Sequence, residues 1–143
     1  MTDRVFIDTN LLIYADDADA GTKQLRAQDT LRRTIRDDSA VLSTQVLQEY
    51  YAVATRRLGI PADQARQRVE AYADLHVVII HPELILAAID LVRLRSISFW
   101  DALVVRSAQW AACSRLMTED LQDGEVIEGL RIENPFLSAS SML

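Results

Sequence analysis

The stretch that decides the fold is Val5-Phe6-Ile7-Asp8-Thr9-Asn10, close to the start of the chain. Its three apolar, β-prone residues predict a short buried strand, and the polar triplet behind them is a signal for the start of a helix. Short apolar runs and capped helical segments alternate in the same way along all 143 residues. This alternation predicts an α/β fold, a parallel sheet with helices on both faces.

The predicted elements follow one another without a long linker. Strands are expected at 5–7, 40–42, 77–80 and 116–118, with 130–132 as a possible fifth. Helices are expected at about 11–15, 22–36, from 43 or 44 to the Gly59-Ile60-Pro61 break, from there to about 75, at 81–94 and at 98–112. We expect one domain over residues 1–137 and a frayed tail at 138–143.

Four acidic residues stand beside these apolar segments. Asp8 follows the first strand, Glu49 lies about a turn and a half into the helix after the second, and Asp120 follows the fourth. The carboxyl ends of parallel strands meet at one edge, where such sheets bind ligands. Asp101 lies in the first turn of its helix, and it joins the others only if that end of the helix points to the same edge.

Each acid also has an ordinary structural explanation. Asp8 is a favoured helix cap, although Thr9 and Asn10 could do the same work. Glu49 lies at the margin of an apolar stripe, where a solvated carboxylate is common. Asp101 has apolar neighbours three, four and seven residues ahead, yet it could instead form a capping pair with Ser98.

The loop after the fourth strand offers several acids. Glu119 and Asp123 compete with Asp120, and loop acids are usually solvated. Asp120 is favoured by its position just past a buried strand, and Asp123 is a candidate outer-sphere helper. At about 5 Å and an effective dielectric of about 20, each pair of carboxylates repels by roughly 3 kcal/mol. A cluster of four must therefore take up cations or protons, and oxygen ligands select Mg²⁺ or Mn²⁺.

Composition restricts the class of protein. The formal net charge of −6 argues against binding nucleic acid through an overall positive field, although bound cations would change the local sign. Cys113 is the single cysteine, so neither an internal disulfide nor a zinc set is expected. The N-terminus lacks the pattern of a secretory signal, and no apolar run approaches the roughly 20 residues of a membrane span. We expect a soluble, cytoplasmic protein.

The four acids also carry a family resemblance. Ile7-Asp8-Thr9-Asn10 resembles the opening motif of PIN-domain ribonucleases, and the segments at 43–51, 98–102 and 118–121 are similar to the segments that carry their other three acids. The match spans nearly the whole chain, and its size and layout look most like VapC-type toxins of type II toxin–antitoxin pairs. The resemblance implies a PIN fold, with a parallel sheet of four or five strands between helices (α/β/α), and cleavage of RNA with Mg²⁺ or Mn²⁺.

The resemblance also implies roles for individual residues. The metal ligands would be Asp8, Glu49, Asp101 and Asp120. Thr9, Asn10 and Thr118 would orient these ligands or the phosphate, and hydroxide from an activated water would attack the phosphorus in line.

The resemblance implies three partners: RNA, a second copy of the chain in a homodimer, and a small antitoxin whose tail occupies the active-site groove. Candidate contacts to RNA or antitoxin come from the arginines, which outnumber lysine by 14 to one. They are Arg32, Arg33, Arg56 and Arg57.

Three other classes are weighed against the nuclease. A receiver-type signalling domain needs a lysine near its acids, and Lys23 is predicted in a helix far from a strand end. A phosphatase of the Asp-x-Asp type needs an acid where Asn10 stands. The remaining alternative is a non-catalytic PIN-like module that binds metal or RNA.

Overall fold

The computed structural model describes residues 3–137, and the predicted frayed tail at 138–143 lies outside the described residues. In this part of the chain, six strands form one sheet and six helices connect them. The strands are β1 (Val5–Ile7), β2 (Ala40–Ser43), β3 (His76–Val78), β4 (Arg115–Met117), β5 (Val126–Ile127) and β6 (Leu130–Glu133). The helices are α1 (Thr9–Asp16), α2 (Thr22–Arg36), α3 (Thr44–Arg56), α4 (Ala62–Ala73), α5 (Pro82–Leu94) and α6 (Phe99–Trp110).

The strand order β3-β2-β1-β4-β6-β5 places the first strand inside the sheet. Phe6 pairs in parallel with Val41 of β2 on one side and Leu116 of β4 on the other. The chain runs outward from β1 to β3, then crosses to the opposite side of β1 to form β4. The carboxyl ends of β1, β2 and β4 therefore surround a topological switch point, where α/β sheets bind ligands.

The far edge of the sheet corrects the expected count of four or five strands. β5 adds a sixth strand, and it pairs antiparallel with β6 through a tight hairpin. Glu128 and Gly129 both have positive φ, as a two-residue hairpin turn of the twist-compatible type requires. A two-residue strand with one exposed side chain has no alternating pattern to reveal it, so the sequence predicted only β6.

The third strand also differs from its expected bounds. It ends at Val78 instead of Ile80, and the side chain of Ile79 is exposed. The Ile80 amide leaves the sheet and donates to Thr44 Oγ1 at 3.1 Å, and His81 is already the N-cap of α5. An apolar run of four residues is thus divided between an edge strand and the connection to the next helix.

The core and the helix caps fix the geometry beside the switch point. All three residues of β1 are fully buried, as are Leu11 and Leu12 of α1. Ser98 caps α6 as predicted, with its side-chain oxygen accepting from Asp101 N. Of the two candidates for the cap of α3, Ser43 and Thr44, Ser43 is the cap, and its side-chain oxygen accepts from Val46 N. None of the helices in residues 3–137 has the length and apolar character needed to cross a membrane.

Candidate active site

A cleft of about 440 Å³ opens at the carboxyl edge of the sheet. All four acids singled out from the sequence line it: Asp8, Glu49, Asp101 and Asp120. They come from the end of β1, from α3, from the first turn of α6 and from the loop after β4. The amino end of α6 therefore points to the same edge as the strand ends, which the sequence left open.

Asp8 is the most deeply placed of the four acids. Its Oδ1 accepts from Thr9 N at 2.7 Å and its Oδ2 from Thr118 Oγ1 at 2.8 Å. Burial raises its pKa to about 7, the two hydrogen bonds lower it less, and the negative charges of Asp120 and Glu49 raise it further. Asp8 does cap α1, but a cap alone does not require a carboxyl held in a buried position beside two other acids.

Glu49 is held from the first helix. Thr9 Oγ1 donates to Glu49 Oε1 at 2.8 Å, so one residue contacts Asp8 through its amide and Glu49 through its hydroxyl. This bond fixes a glutamate that, on spacing alone, could have been a solvated residue at the border of its helix. Thr9 is thereby placed between the first two acids, as an orienting residue would be.

Asp101 faces the cleft from α6. Ser98 Oγ accepts from the Asp101 amide at 3.0 Å, so the capping contact considered from the sequence does exist. Burial raises the pKa of the Asp101 carboxyl, the Ser98 side chain lowers it less, and the charge of Glu49 raises it. The capping bond engages the backbone amide of Asp101, and its side chain still lines the cleft with Glu49.

Asp120 is tied to the same centre. Asn10 Nδ2 donates to Asp120 Oδ2 at 3.2 Å, and the Asp120 amide donates to Thr118 Oγ1 at 3.1 Å. Burial raises the pKa of Asp120, followed by the negative charges of Asp101 and Glu119. Because Thr118 Oγ1 also donates to Asp8, a single hydroxyl links the acids that follow β1 and β4.

The donor set is chemically suited to a hard divalent cation. The negative charges of neighbouring acids raise the pKa values of Asp8, Asp101 and Asp120. Within residues 3–137, however, no three carboxylate, imidazole or thiol groups are close enough together to coordinate one metal ion directly. Mg²⁺ does not require one, since it keeps several waters and is usually held by one or two carboxylates. Asn10 Oδ1 and Gln45 Oε1 are buried at this cleft without a hydrogen-bond donor among the described residues. Such acceptors suit the waters around a cation.

Gln45 is a cleft residue that the sequence reasoning missed. It lies one helical turn before Glu49, it is buried, and its Nε2 contacts the carbonyl oxygen of Trp100 at 3.5 Å. It therefore connects the helix of Glu49 with the helix of Asp101. No sequence signal distinguished it, because a glutamine in a first helical turn is usually exposed.

The position of the only lysine in the sequence differs from the expected one. Lys23 was expected far from a strand end, but its Nζ lies 2.9 Å from Glu119 Oε2, two residues past β4. Tyr14 OH donates to the other oxygen of Glu119 at 2.6 Å, and this bond raises the pKa of the tyrosine. Tyr14 and Glu119 line the rim of the cleft. Among the described residues Lys23 therefore forms an ion pair with Glu119 and with none of the four cleft acids, whereas a receiver domain needs its lysine beside those acids.

Asp123 lies apart from the four acids. Its Oδ1 accepts from Asn134 N at 2.8 Å, and it lines a separate depression beside β6. The candidate arginines are also dispersed. Arg57 lines the cleft, Arg33 lines the depression and pairs with Asp29, and Arg32 and Arg56 are exposed on their helices.

Comparisons with known proteins agree with this architecture. The chain is similar in fold to VapC20 of Mycobacterium tuberculosis, a sarcin–ricin loop cleaving toxin, with a TM-score of 0.61 and 22% identity over 78% of this chain and 86% of that one. It is similar to a chain of a toxin–antitoxin complex from Klebsiella pneumoniae, with a TM-score of 0.66 and 18% identity over 92% and 98%. It is also similar to a chain of DNA-bound VapBC from Salmonella typhimurium, with a TM-score of 0.65 and 18% identity over 94% and 99%.

The sequence itself supplies the family. No curated protein sequence matches the chain significantly. The family model of the PIN domain matches residues 5–122, a span that begins at the first strand and includes all four acids of the cleft. The chain therefore belongs to the PIN domain family.

Proposed function

We propose that the protein is an endoribonuclease that depends on Mg²⁺ or Mn²⁺ and acts as the toxin of a type II toxin–antitoxin pair. One observation carries the proposal. Four acids from separate segments of the chain, Asp8, Glu49, Asp101 and Asp120, line one cleft at the carboxyl edge of the sheet. Membership of the PIN family and a fold shared with a toxin that cleaves the sarcin–ricin loop support the same reaction.

The four acids would hold the cation, through direct bonds or through water. When bound, the cation supplies Lewis-acid activation of a water nucleophile and neutralises charge at the phosphate. Asp8 must lose its proton to act as a metal ligand. With a pKa of about 7, it is partly protonated at neutral pH in the absence of metal. The protein would therefore release protons as it takes up the cation.

The neutral residues would keep the carboxylates in place. Thr9 holds Glu49, Thr118 holds Asp8, and Asn10 holds Asp120, each through one side-chain hydrogen bond. In this proposal their free acceptor atoms orient water or the phosphate. Orienting contacts of this kind typically change metal affinity or activity about 10- to 100-fold. Asp123 is not included, since it contacts Asn134 outside the cleft.

The proposed partners are an antitoxin, a second copy of the chain and RNA. We propose a small antitoxin with a basic side chain that pairs with the acidic cleft, and a homodimer of this chain, meeting their RNA target in the cytoplasm. Arg57 is the arginine best placed to contact RNA or antitoxin, because it lines the cleft with the acids. The Klebsiella pneumoniae chain comes from a toxin–antitoxin complex, and the Salmonella typhimurium chain comes from DNA-bound VapBC, which supports the proposal of an antitoxin partner.

Cleavage of a mixed RNA pool tests the proposal directly. The purified, antitoxin-free protein is incubated with Mg²⁺ or Mn²⁺, and EDTA and the variant Asp101→Asn are compared with it. Asp90→Asn is the matched control, since Asp90 is an exposed acid on α5. We expect cleavage by the wild type and by Asp90→Asn, and at least a roughly 100-fold loss in Asp101→Asn and in EDTA.

The second candidate function is a PIN-like module that binds metal or RNA without cleaving it. A folded, metal-loaded wild-type protein that binds RNA but cleaves no member of the pool would contradict the nuclease and favour this module. Cleavage that survives EDTA, or that persists in Asp101→Asn, would contradict the metal-dependent mechanism while leaving a nuclease.

A further inference from the structure

The two tryptophans of the chain are equally exposed but have different surroundings. Both lie on α6, Trp100 in its first turn and Trp110 at its end, with exposed fractions of 61% and 59%. The ring of Trp110 rests against His81, with 4.6 Å between centroids. Trp100 instead lines the cleft of the acids, one residue before Asp101.

Trp100 is held while its indole stays open to the cleft. Its ring meets Phe99 edge-on, with 5.1 Å between centroids, and Phe99 packs against the core. Its carbonyl oxygen is contacted by Gln45 Nε2. A large aromatic side chain that is anchored but left exposed in a cleft is typical of a binding surface.

The neighbouring charges select the kind of group that lies on this indole. The acids would repel an anionic ligand unless a cation is bound, and the proposed reaction brings both a cation and a phosphodiester to this place. Arg57 adds a positive charge to the wall of the cleft. A nucleobase next to the phosphodiester offers a flat π face, and aromatic side chains stack on such faces when the bases are unpaired.

We propose that Trp100 stacks on an unpaired nucleobase beside the scissile phosphate and so selects single-stranded or looped RNA at this position. The inference rests on the proposed function, since it uses RNA as the ligand of the cleft. Stacking tolerates any base, because every base has a π face. Trp100 therefore selects the unpaired state of the RNA without reading its sequence.

Binding can be measured apart from cleavage. The background variant Asp120→Asn is used to suppress cleavage, and Trp110→Phe leaves Trp100 as the only tryptophan of the chain. Three probes are titrated in Mg²⁺: a short unpaired RNA of mixed sequence, its fully paired duplex, and the same strand with abasic nucleotides. Quenching of the Trp100 fluorescence by the unpaired RNA, and weaker binding of the other two probes, is the expected result.

A cycle of substitutions separates stacking from other contacts. These variants are made in the Asp120→Asn background with Trp110 retained, and the anisotropy of an end-labelled RNA replaces tryptophan fluorescence as the readout. Trp100→Ala should weaken binding of the unpaired RNA by roughly five- to 150-fold, and Trp100→Phe should restore part of the affinity. Trp110→Ala, the matched control, should bind like the background. The abasic strand should bind Trp100→Ala and its parent equally, since the partner of the indole is missing. Circular dichroism establishes that each variant is folded.

Other outcomes would overturn the inference. An equal loss of affinity for intact and abasic strands in Trp100→Ala would exclude stacking. Unchanged RNA affinity in Trp100→Ala would show that the indole does not contact RNA, whether or not the variant binds a protein partner more weakly. RNA cleavage by the wild type that does not depend on Trp100 would defeat this inference alone. Trp100-dependent binding without any cleavage in Mg²⁺ or Mn²⁺ would defeat the nuclease and leave the stacking contact.

Discussion

An aspartate with a largely buried side chain stands at each end of α1, and the two have opposite kinds of charged neighbour. Asp16, at the end of the helix, accepts from Tyr50 OH at 2.5 Å and forms an ion pair with Arg68. Asp8, at the start, has hydrogen bonds from Thr9 and Thr118, and none of the cationic side chains in residues 3–137 pairs with it. Its charged neighbours are Asp120 and Glu49.

The difference separates an acid with a structural role from the acid that we propose as a metal ligand. The positive charge beside Asp16 comes from Arg68 of the same chain. The contacts of Asp16 with Tyr50 and Arg68 connect α1 to α3 and α4. Burial, followed by the bond to Asp16, raises the pKa of Tyr50, so its hydroxyl stays a hydrogen-bond donor at all ordinary pH values. Asp8 is left with unbalanced charge, and a cation from solution is what would balance it.

Exchange of each aspartate for its neutral isostere should produce the largest difference between Asp8 and Asp16. Asp8→Asn should lower RNA cleavage by more than the roughly 100-fold limit of orienting contacts, because a proposed metal ligand is lost. Asp16→Asn should change the activity per folded molecule far less. Initial rates in Mn²⁺, normalised to the folded fraction, measure both, and equal losses in the two variants would contradict the distinction.

The pH dependence of the free energy of unfolding also distinguishes Asp8 from Asp16. Between about pH 4 and pH 7, folded Asp8 holds a proton that the unfolded chain has released, since its pKa rises from 3.8 to about 7. The free energy of unfolding of the metal-free protein must therefore fall as the pH rises through this window. Asp8→Asn removes the titrating group.

The variant should consequently gain stability relative to the wild type, by about 2–4 kcal/mol more at pH 8 than at pH 4. Urea unfolding in EDTA at the two pH values gives this difference. Asp16→Asn, measured in parallel, should lack such a gain at pH 8. A parallel pH profile for Asp8→Asn and the wild type would show that Asp8 is not buried as a protonated acid.

Loss of the internal counter-charge has the smallest expected effect. Arg68→Met keeps much of the side-chain stem but leaves Asp16 with Tyr50 alone, which should cost about 1–2 kcal/mol of unfolding free energy. This is below the usual cost of breaking a buried pair, because the Arg68 side chain is 37% exposed and partly screened. Arg66→Met is the control on the same helix, since the Arg66–Glu70 pair is exposed. Urea unfolding that gives equal values for the two variants would assign no special role to Asp16.

Local signals were enough to predict most of the sheet. β1 and β2 follow from apolar runs of three residues, and β4 follows from Leu116-Met117. Ser43 caps α3, and Ser98 caps α6. The hairpin that adds β5 could not be predicted in this way. Two residues are too few for a periodic pattern, and their pairing depends on the turn at Glu128 and Gly129.

In the cleft, too, some residues could be predicted from the sequence and others could not. Position relative to the strand ends placed Asp8, Glu49 and Asp120 at one edge, and apolar neighbours along its helix singled out Asp101. Two neighbours of these acids emerged only in three dimensions. Gln45 reads as an ordinary polar residue of a helix, yet it bridges the helices of Glu49 and Asp101. Lys23 reads as a solvated lysine, yet it contacts Glu119, which is 96 residues away along the chain.

The sequence by itself determined the α/β alternation, the PIN family and the four acids, because periodicity, helix caps and motif order are properties of short segments. The tertiary structure decided that Thr9, Asn10 and Thr118 connect these acids, that Asp123 lies apart, and that Trp100 but not Trp110 faces the cleft. The physical reason is distance. Hydrogen bonds and electrostatic interactions act over a few ångströms, and strand order and helix direction bring residues far apart in sequence within that range.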